Sequence, residues 1–155
     1  MKKISLWILC FVCLLLAGCT SKESKEVGTL EKFQSNCVNN GIEYADLLSQ
    51  YQSQKADYIT GAIRCTSDDL TIEMVTYDSE ESADKAQKQH IASFMGMKST
   101  AATAKKDKGK NYYKFTMISN GYFMVTSRIE NTLIFSKTPL ANKEKVEAIL
   151  TDMNY

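Results

Sequence analysis

The chain is poor in the residues from which most catalytic sites are built. It has one histidine (His90), one tryptophan (Trp7) and one proline (Pro139), and its 19 basic residues include only two arginines, Arg64 and Arg128. A lone imidazole needs a nucleophile and an orienting partner to act as a general base. No triad order and no metal-ligand spacing accompanies His90. Helical spacing instead puts it between Ala86 and Phe94 on an inward stripe, the position of a hydrogen-bonded boundary histidine. Charge of either sign is also lacking in excess: 19 basic against 18 acidic residues leave +1. That provides no field for nucleic acid, and no nucleic-acid partner is expected. Asp68, Asp69, Asp78, Glu80 and Glu81 fall in turns and at helix starts, and match neither a calcium loop nor the paired carboxylates of a glycosidase. No metal or other cofactor is expected.

An apolar run long enough to cross a bilayer is missing too. Residues 4–16 make thirteen positions, short of the roughly 18 that a span needs. Lys2 and Lys3 precede this run and small residues follow it, which is the build of a secretory signal. Its last four residues are Leu16-Ala17-Gly18-Cys19, and they resemble the lipobox of bacterial lipoproteins. The resemblance implies that a signal peptidase recognises Leu16, Ala17 and Gly18 and cuts before Cys19. It also implies that Cys19 carries a thioether-linked diacylglyceryl group, whose two acyl chains are about the minimum for stable anchoring. The expected location is extracytoplasmic, lipid-anchored to the cell membrane. The lysine bias points to a Gram-positive host; in a Gram-negative one, Thr20 lacks the aspartate associated with inner-membrane retention, which gives the outer membrane. The remainder loosely resembles other small lipoproteins of Gram-positive bacteria, a likeness that implies no activity.

Cleavage would remove Trp7, Cys10 and Cys13, and losing Lys2 and Lys3 takes the charge to −1. Cys37 and Cys65 are then the remaining thiols. An exported location permits a disulfide between them, and two buried free cysteines are the alternative, because sequence gives no distance. No Cys-x-x-Cys pair survives to suggest redox or zinc chemistry.

Three segments follow: a signal peptide over 1–18, a lipidated cysteine and polar tether over 19–28, and one globular domain over 29–155. Thr29 caps a helix from Leu30 to about Asn40, with Leu30, Phe33 and Cys37 on one stripe, Gly41 ending it and Ile42 folding back. Residues 43–55 read as a short helical turn or an irregular crossing. A hairpin follows over 58–77, with Cys65 opposite Leu70, Ile63 opposite Ile72, and Arg64 diagonal to Glu73. Asp78 and Glu81 form a capping box for a second helix. Residues 99–110 read as a solvated, lysine-rich loop, in which Lys105, Lys106, Lys108 and Lys110 form a local basic run. Asn120-Gly121 sets Met117 against Met124 and Phe115 against Thr126 in a three-stranded unit over 111–137. After Pro139, Asn142 caps a last helix carrying Val146, Ile149, Leu150 and Met153. The sum is an α+β fold, an antiparallel sheet of about five strands packed with three helices in the order α-β-β-α-β-β-β-α.

The sheet is expected to be apolar on both faces, which a sheet with one wet face should not be. Either the helices divide between the faces, or one face is a partner surface carrying Tyr58, Val75, Tyr77, Tyr112, Phe123 and Val125. The expected role is a membrane-tethered, non-enzymatic binding or accessory module for a protein, peptide or wall polymer. The alternatives are a small-ligand carrier with a pocket between sheet and helices, and an envelope-polymer hydrolase with scattered carboxylates and tyrosines.

Overall fold

A computed structural model describes residues 23–155. The signal segment, Leu16, Ala17, Gly18, Cys19 and the start of the tether lie outside the described residues. Helix α1 (Leu30–Asn39) starts at Thr29, whose hydroxyl accepts the Lys32 amide at 3.2 Å. It ends through Gly41 at φ 67°, and the Ile42 amide then donates to the Cys37 carbonyl at 3.0 Å. Such a left-handed exit favours glycine, which has no Cβ to clash. Strand β1 (Glu43–Asp46) and a short helix α2 (Leu48–Ser53) follow. All four β1 residues are exposed, so the strand has no alternation by which to be recognised.

Strands β2 (Ile59–Ser67) and β3 (Leu70–Tyr77) form the expected hairpin in a different register. Ser67 pairs with Leu70, Cys65 with Ile72, Ile63 with Met74, and Arg64 lies directly opposite Glu73. The turn is Asp68-Asp69, with Asp68 at φ 46°; aspartate tolerates this region, which lets a two-residue turn close one rung beyond the expected one. An even slip keeps every side chain on its face. Helix α3 (Glu80–Gly96) is capped by Ser79, which accepts the Ser82 amide at 3.2 Å, and not by Asp78 and Glu81. The Asp78 amide is still tied to the Tyr58 carbonyl at 2.8 Å, so the helix begins one residue later.

The expected loop over 99–110 contains a strand, β4 (Thr103–Lys108), paired with β5 (Tyr112–Ser119). Strands β6 (Tyr122–Ile129) and β7 (Thr132–Pro139) complete the meander. Met117 opposes Met124 and Phe115 opposes Thr126 as expected, around Asn120 at φ 52° and Gly121 at φ 78°. A 3-10 turn (Leu140–Asn142) leads into α4 (Lys143–Asp152). Asn142 stands at its start without capping it; its amide donates instead to Asp69 Oδ1 at 2.7 Å and Thr138 Oγ1 at 3.3 Å. The α+β class holds, with one antiparallel sheet of seven strands in the order β1-β2-β3-β7-β6-β5-β4. The described residues contain four α-helices where three were expected. The additional strands are the two edges, whose side chains face water and carry no apolar pattern.

Helices cover both faces. On one, α1 and α4 pack Phe33, Cys37, Val146, Ile149, Leu150 and Met153 over Ile63, Cys65, Ile72, Met74, Phe123, Val125, Ile129 and Ile134. On the other, α3 lies over Phe115, Met117 and Met124, while Leu47 and Ala83 pack with Ala62, Val75, Tyr77 and Leu133. Of the two readings of the doubly apolar sheet, helices on both faces is the one the structure has, and the open partner surface is closed: Val75, Tyr77, Tyr112, Phe123 and Val125 are buried, and of the six only Tyr58 is exposed, at 49%. The surplus of apolar side chains is what two layers of helix require.

Cys37 on α1 and Cys65 on β2 are joined by a disulfide, with Cα atoms 6.3 Å apart and both residues fully buried. The expected tether is also shorter than 19–28. The Lys25 amide donates to Asn111 Oδ1, and Asn111 Nδ2 donates back to the Lys25 carbonyl, each at 2.9 Å. Val27 packs on the main core and Gly28 is buried against Met153 and Tyr155.

Candidate functional site

The α3 side of the sheet is not completely filled. Between the N-terminal half of α3, helix α2 and the start of β2 lies an open cleft of about 360 Å³. Its apolar surfaces are Tyr58, Ile59, Tyr77 and Phe135 from the sheet side and Tyr51 from α2; α3 contributes Ser82, Lys85, Ala86, Gln89 and His90. The volume is at the lower end of the usual range for small-ligand sites, about 300 to 1,000 Å³.

Each wall is held by a local cause. A bulge between Ile59 and Gly61 shifts the register at the start of β2. That leaves Tyr58 beside Tyr77, their rings parallel within 8° and 6.3 Å apart, an offset stack. His90 lies one helical turn before Phe94, and its ring stacks on Phe135 with centroids 3.9 Å apart. Gln87, on the inward side of α3, donates to the Tyr113 carbonyl at 2.7 Å and clamps the helix to the sheet.

Behind the cleft sits a charged triad. Arg64 Nε donates to Glu73 Oε2 at 2.8 Å, and the Tyr51 hydroxyl donates to Glu73 Oε1 at 2.5 Å. The Glu73 side chain is 2% exposed and that of Arg64 40%, so the carboxylate depends on these two donors for the solvation it has lost. Burial, followed by the hydrogen bond to Glu73, pushes the Tyr51 hydroxyl above the usual phenol range. Burial also raises Tyr77, reinforced by the nearby Tyr51 and Glu73 charges. His90 is held below the ordinary imidazole value by burial, against the opposing pull of Glu73. At neutral pH the Tyr51 and Tyr77 phenols and the His90 imidazole are therefore neutral.

Of the residues expected to form a partner surface, Tyr58 and Tyr77 meet in this cleft, Val75 lies beneath it in the same cluster, and Tyr112, Phe123 and Val125 belong to the opposite face. The sequence alone gives no sign that Tyr51, Lys85, Gln89 and Phe135 share one site. Tyr51 lies in the stretch that could not be assigned to an element, and the helix residues show their common direction only once α3 is placed. Among the described residues, no three His, Cys, Asp or Glu side chains converge as metal ligands, and no helix is long and apolar enough to cross a membrane. No protein family, curated protein or solved structure matches the chain.

Proposed function

We propose that the chain is a cell-envelope lipoprotein, anchored through a diacylglyceryl group on Cys19, whose domain is a non-enzymatic binding module. Its binding site is the cleft between α2, α3 and the sheet, and its ligand is a small neutral molecule or the end unit of a larger one. The observation that carries this reading is the convergence of Tyr51, Tyr58, Tyr77, His90 and Phe135 on one open cavity. Aromatic faces suit a flat or ring-shaped group, and Ser82 and Gln89 can orient its polar edges. Neutral phenols and imidazole favour a ligand without charge at its buried end. A protein partner seated on a bare sheet is disfavoured, since both faces are already covered.

The test is thermal unfolding of the lipoprotein against a panel of neutral metabolites and wall-polymer fragments. A ligand that binds only the folded state raises the midpoint. Tyr58→Ala, at a half-exposed position, should keep the fold and abolish that rise. A rise unaffected by Tyr58→Ala and by His90→Gln would refute the cleft as the site. Anchoring is read separately, as acyl mass on Cys19 in the intact protein, lost in Cys19→Ala.

A further inference from the structure

The hold on the chain at Lys25 fixes where the polypeptide leaves the domain. Lys25 and Asn111 exchange two hydrogen bonds, Asn111 also donates to Glu130 Oε1 at 3.0 Å, and the Lys25 ammonium sits 4.6 Å above the Tyr112 ring. The exit is therefore at the corner between the β4–β5 and β6–β7 turns. From there back to residue 19, six residues span at most about 20 Å. A domain held that closely cannot present every side to the bilayer equally.

Beside this exit lies the β4 edge. Lys108 pairs with Tyr113, at the Asn111 end of the strand, and Thr103 pairs with Ile118 at the far end. Lys105, Lys106 and Lys108, with Lys110 in the following turn, are all exposed and run along the edge away from the exit. The acids there are Asp107, 3.4 Å from the Tyr112 hydroxyl, Glu130, which accepts from Asn111, and Glu80 and Asp84, which pair with Arg128 at 2.7 and 3.8 Å. Glu23 and Glu26 lie on the exit segment itself. At the other edge β1 reads Glu-Tyr-Ala-Asp and carries no cation.

We propose that the β4 edge is a membrane-docking surface, on which Lys105, Lys106, Lys108 and Lys110 lie against anionic phospholipid headgroups. This rests on anchoring at Cys19. Lysines on an edge strand also serve to block pairing with a second sheet. What separates docking from that role is their position next to the point where the chain turns towards the bilayer. Juxtamembrane lysines gain from anionic lipid within about a Debye length, roughly 10 Å at 0.1 M salt. In this pose the cleft, on the face covered by α3, stays open at the side and is not pressed into lipid.

The experiment uses the full lipidated chain in vesicles of phosphatidylcholine alone or with about 30% phosphatidylglycerol, at low salt. Amine acetylation is followed lysine by lysine by mass spectrometry. Acetylation of Lys105, Lys106, Lys108 and Lys110 is expected to slow at least about threefold in the anionic vesicles and to recover in about 0.5 M salt. Lys32 and Lys55, exposed elsewhere on the domain, should not change. An acylated, vesicle-bound chain whose four lysines react alike in both lipids overturns docking and leaves anchoring intact. Slowing that requires added anionic wall polymer, or that affects all lysines equally, also overturns it. A chain without acyl mass that does not associate with vesicles overturns docking and anchoring together.

Discussion

In the unfolded chain the Cys37–Cys65 bridge closes a loop across a sequence separation of 28. Loop-closure entropy for that length corresponds to about 3.5 kcal/mol at 25 °C. The whole of this counts towards stability only if α1 and β2 dock in the same way without the bond. Both cysteines are completely buried, and reduction leaves both sulfur atoms in place, so no cavity contribution accompanies the loss. For a domain of this size, 1 kcal/mol corresponds to roughly 3 to 4 °C in Tm, which predicts a fall of about 10 to 14 °C on reduction. The assay is thermal unfolding by circular dichroism of oxidised protein and of protein reduced in denaturant and refolded under reductant, with the thiol count checked by alkylation and mass. Burial adds a kinetic signature: reductant added to the folded protein should act only as fast as the α1–β2 region opens. A shift below about 4 °C with complete alkylation would show that the bridge does not restrict the denatured chain as loop closure requires. Rapid reduction of the folded protein would refute the burial.

Three further outcomes follow from other parts of the structure. Tyr51→Phe removes a donor to the buried Glu73 carboxylate and should cost about 1.5 to 3 kcal/mol in denaturant unfolding, whereas Tyr44→Phe, at an exposed edge position, should cost nothing measurable. His90 is held below its ordinary value of 6.5, so the unfolded state takes up the proton first; stability contributed by neutral His90 is complete above 6.5 and is lost as pH falls below it, and His90→Gln should flatten that part of the pH–stability profile. Tyr155 is buried, its hydroxyl bonded with Thr132 and its pKa pushed up to about 12 mainly by burial; Tyr155→Ala should cost about 3 to 5 kcal/mol, and an effect under about 1 kcal/mol would contradict its place in the core.

Much of the fold was legible where apolar residues alternate. The Met117–Met124 pairing, the Val146, Ile149, Leu150 and Met153 stripe and the division of the meander into two faces all follow from periodicity and from Asn120-Gly121. The first hairpin closes one rung away from the expected turn, because Ser67, Asp68 and Asp69 are all suited to turns and only the backbone at Asp68 decides among them. Strands β1 and β4 leave no mark in the sequence, because hydrogen bonding to a neighbour, with no buried face, is what makes Glu43–Asp46 and Thr103–Lys108 strands. The cleft was half visible: Tyr58 and Tyr77 stood out as surplus aromatics. Tyr51 and Phe135 reach the same cavity from residues 84 positions apart in the chain, a proximity that no local pattern records.

One consequence follows from the sheet standing as a continuous wall between two unequal packing regions. The larger region, with the disulfide and helices α1 and α4, can keep the molecule folded while α3 and its neighbours lift or shift by local opening. Substitutions confined to the exposed rim of the cleft, such as Tyr58, therefore leave the packing on the far side of the wall untouched.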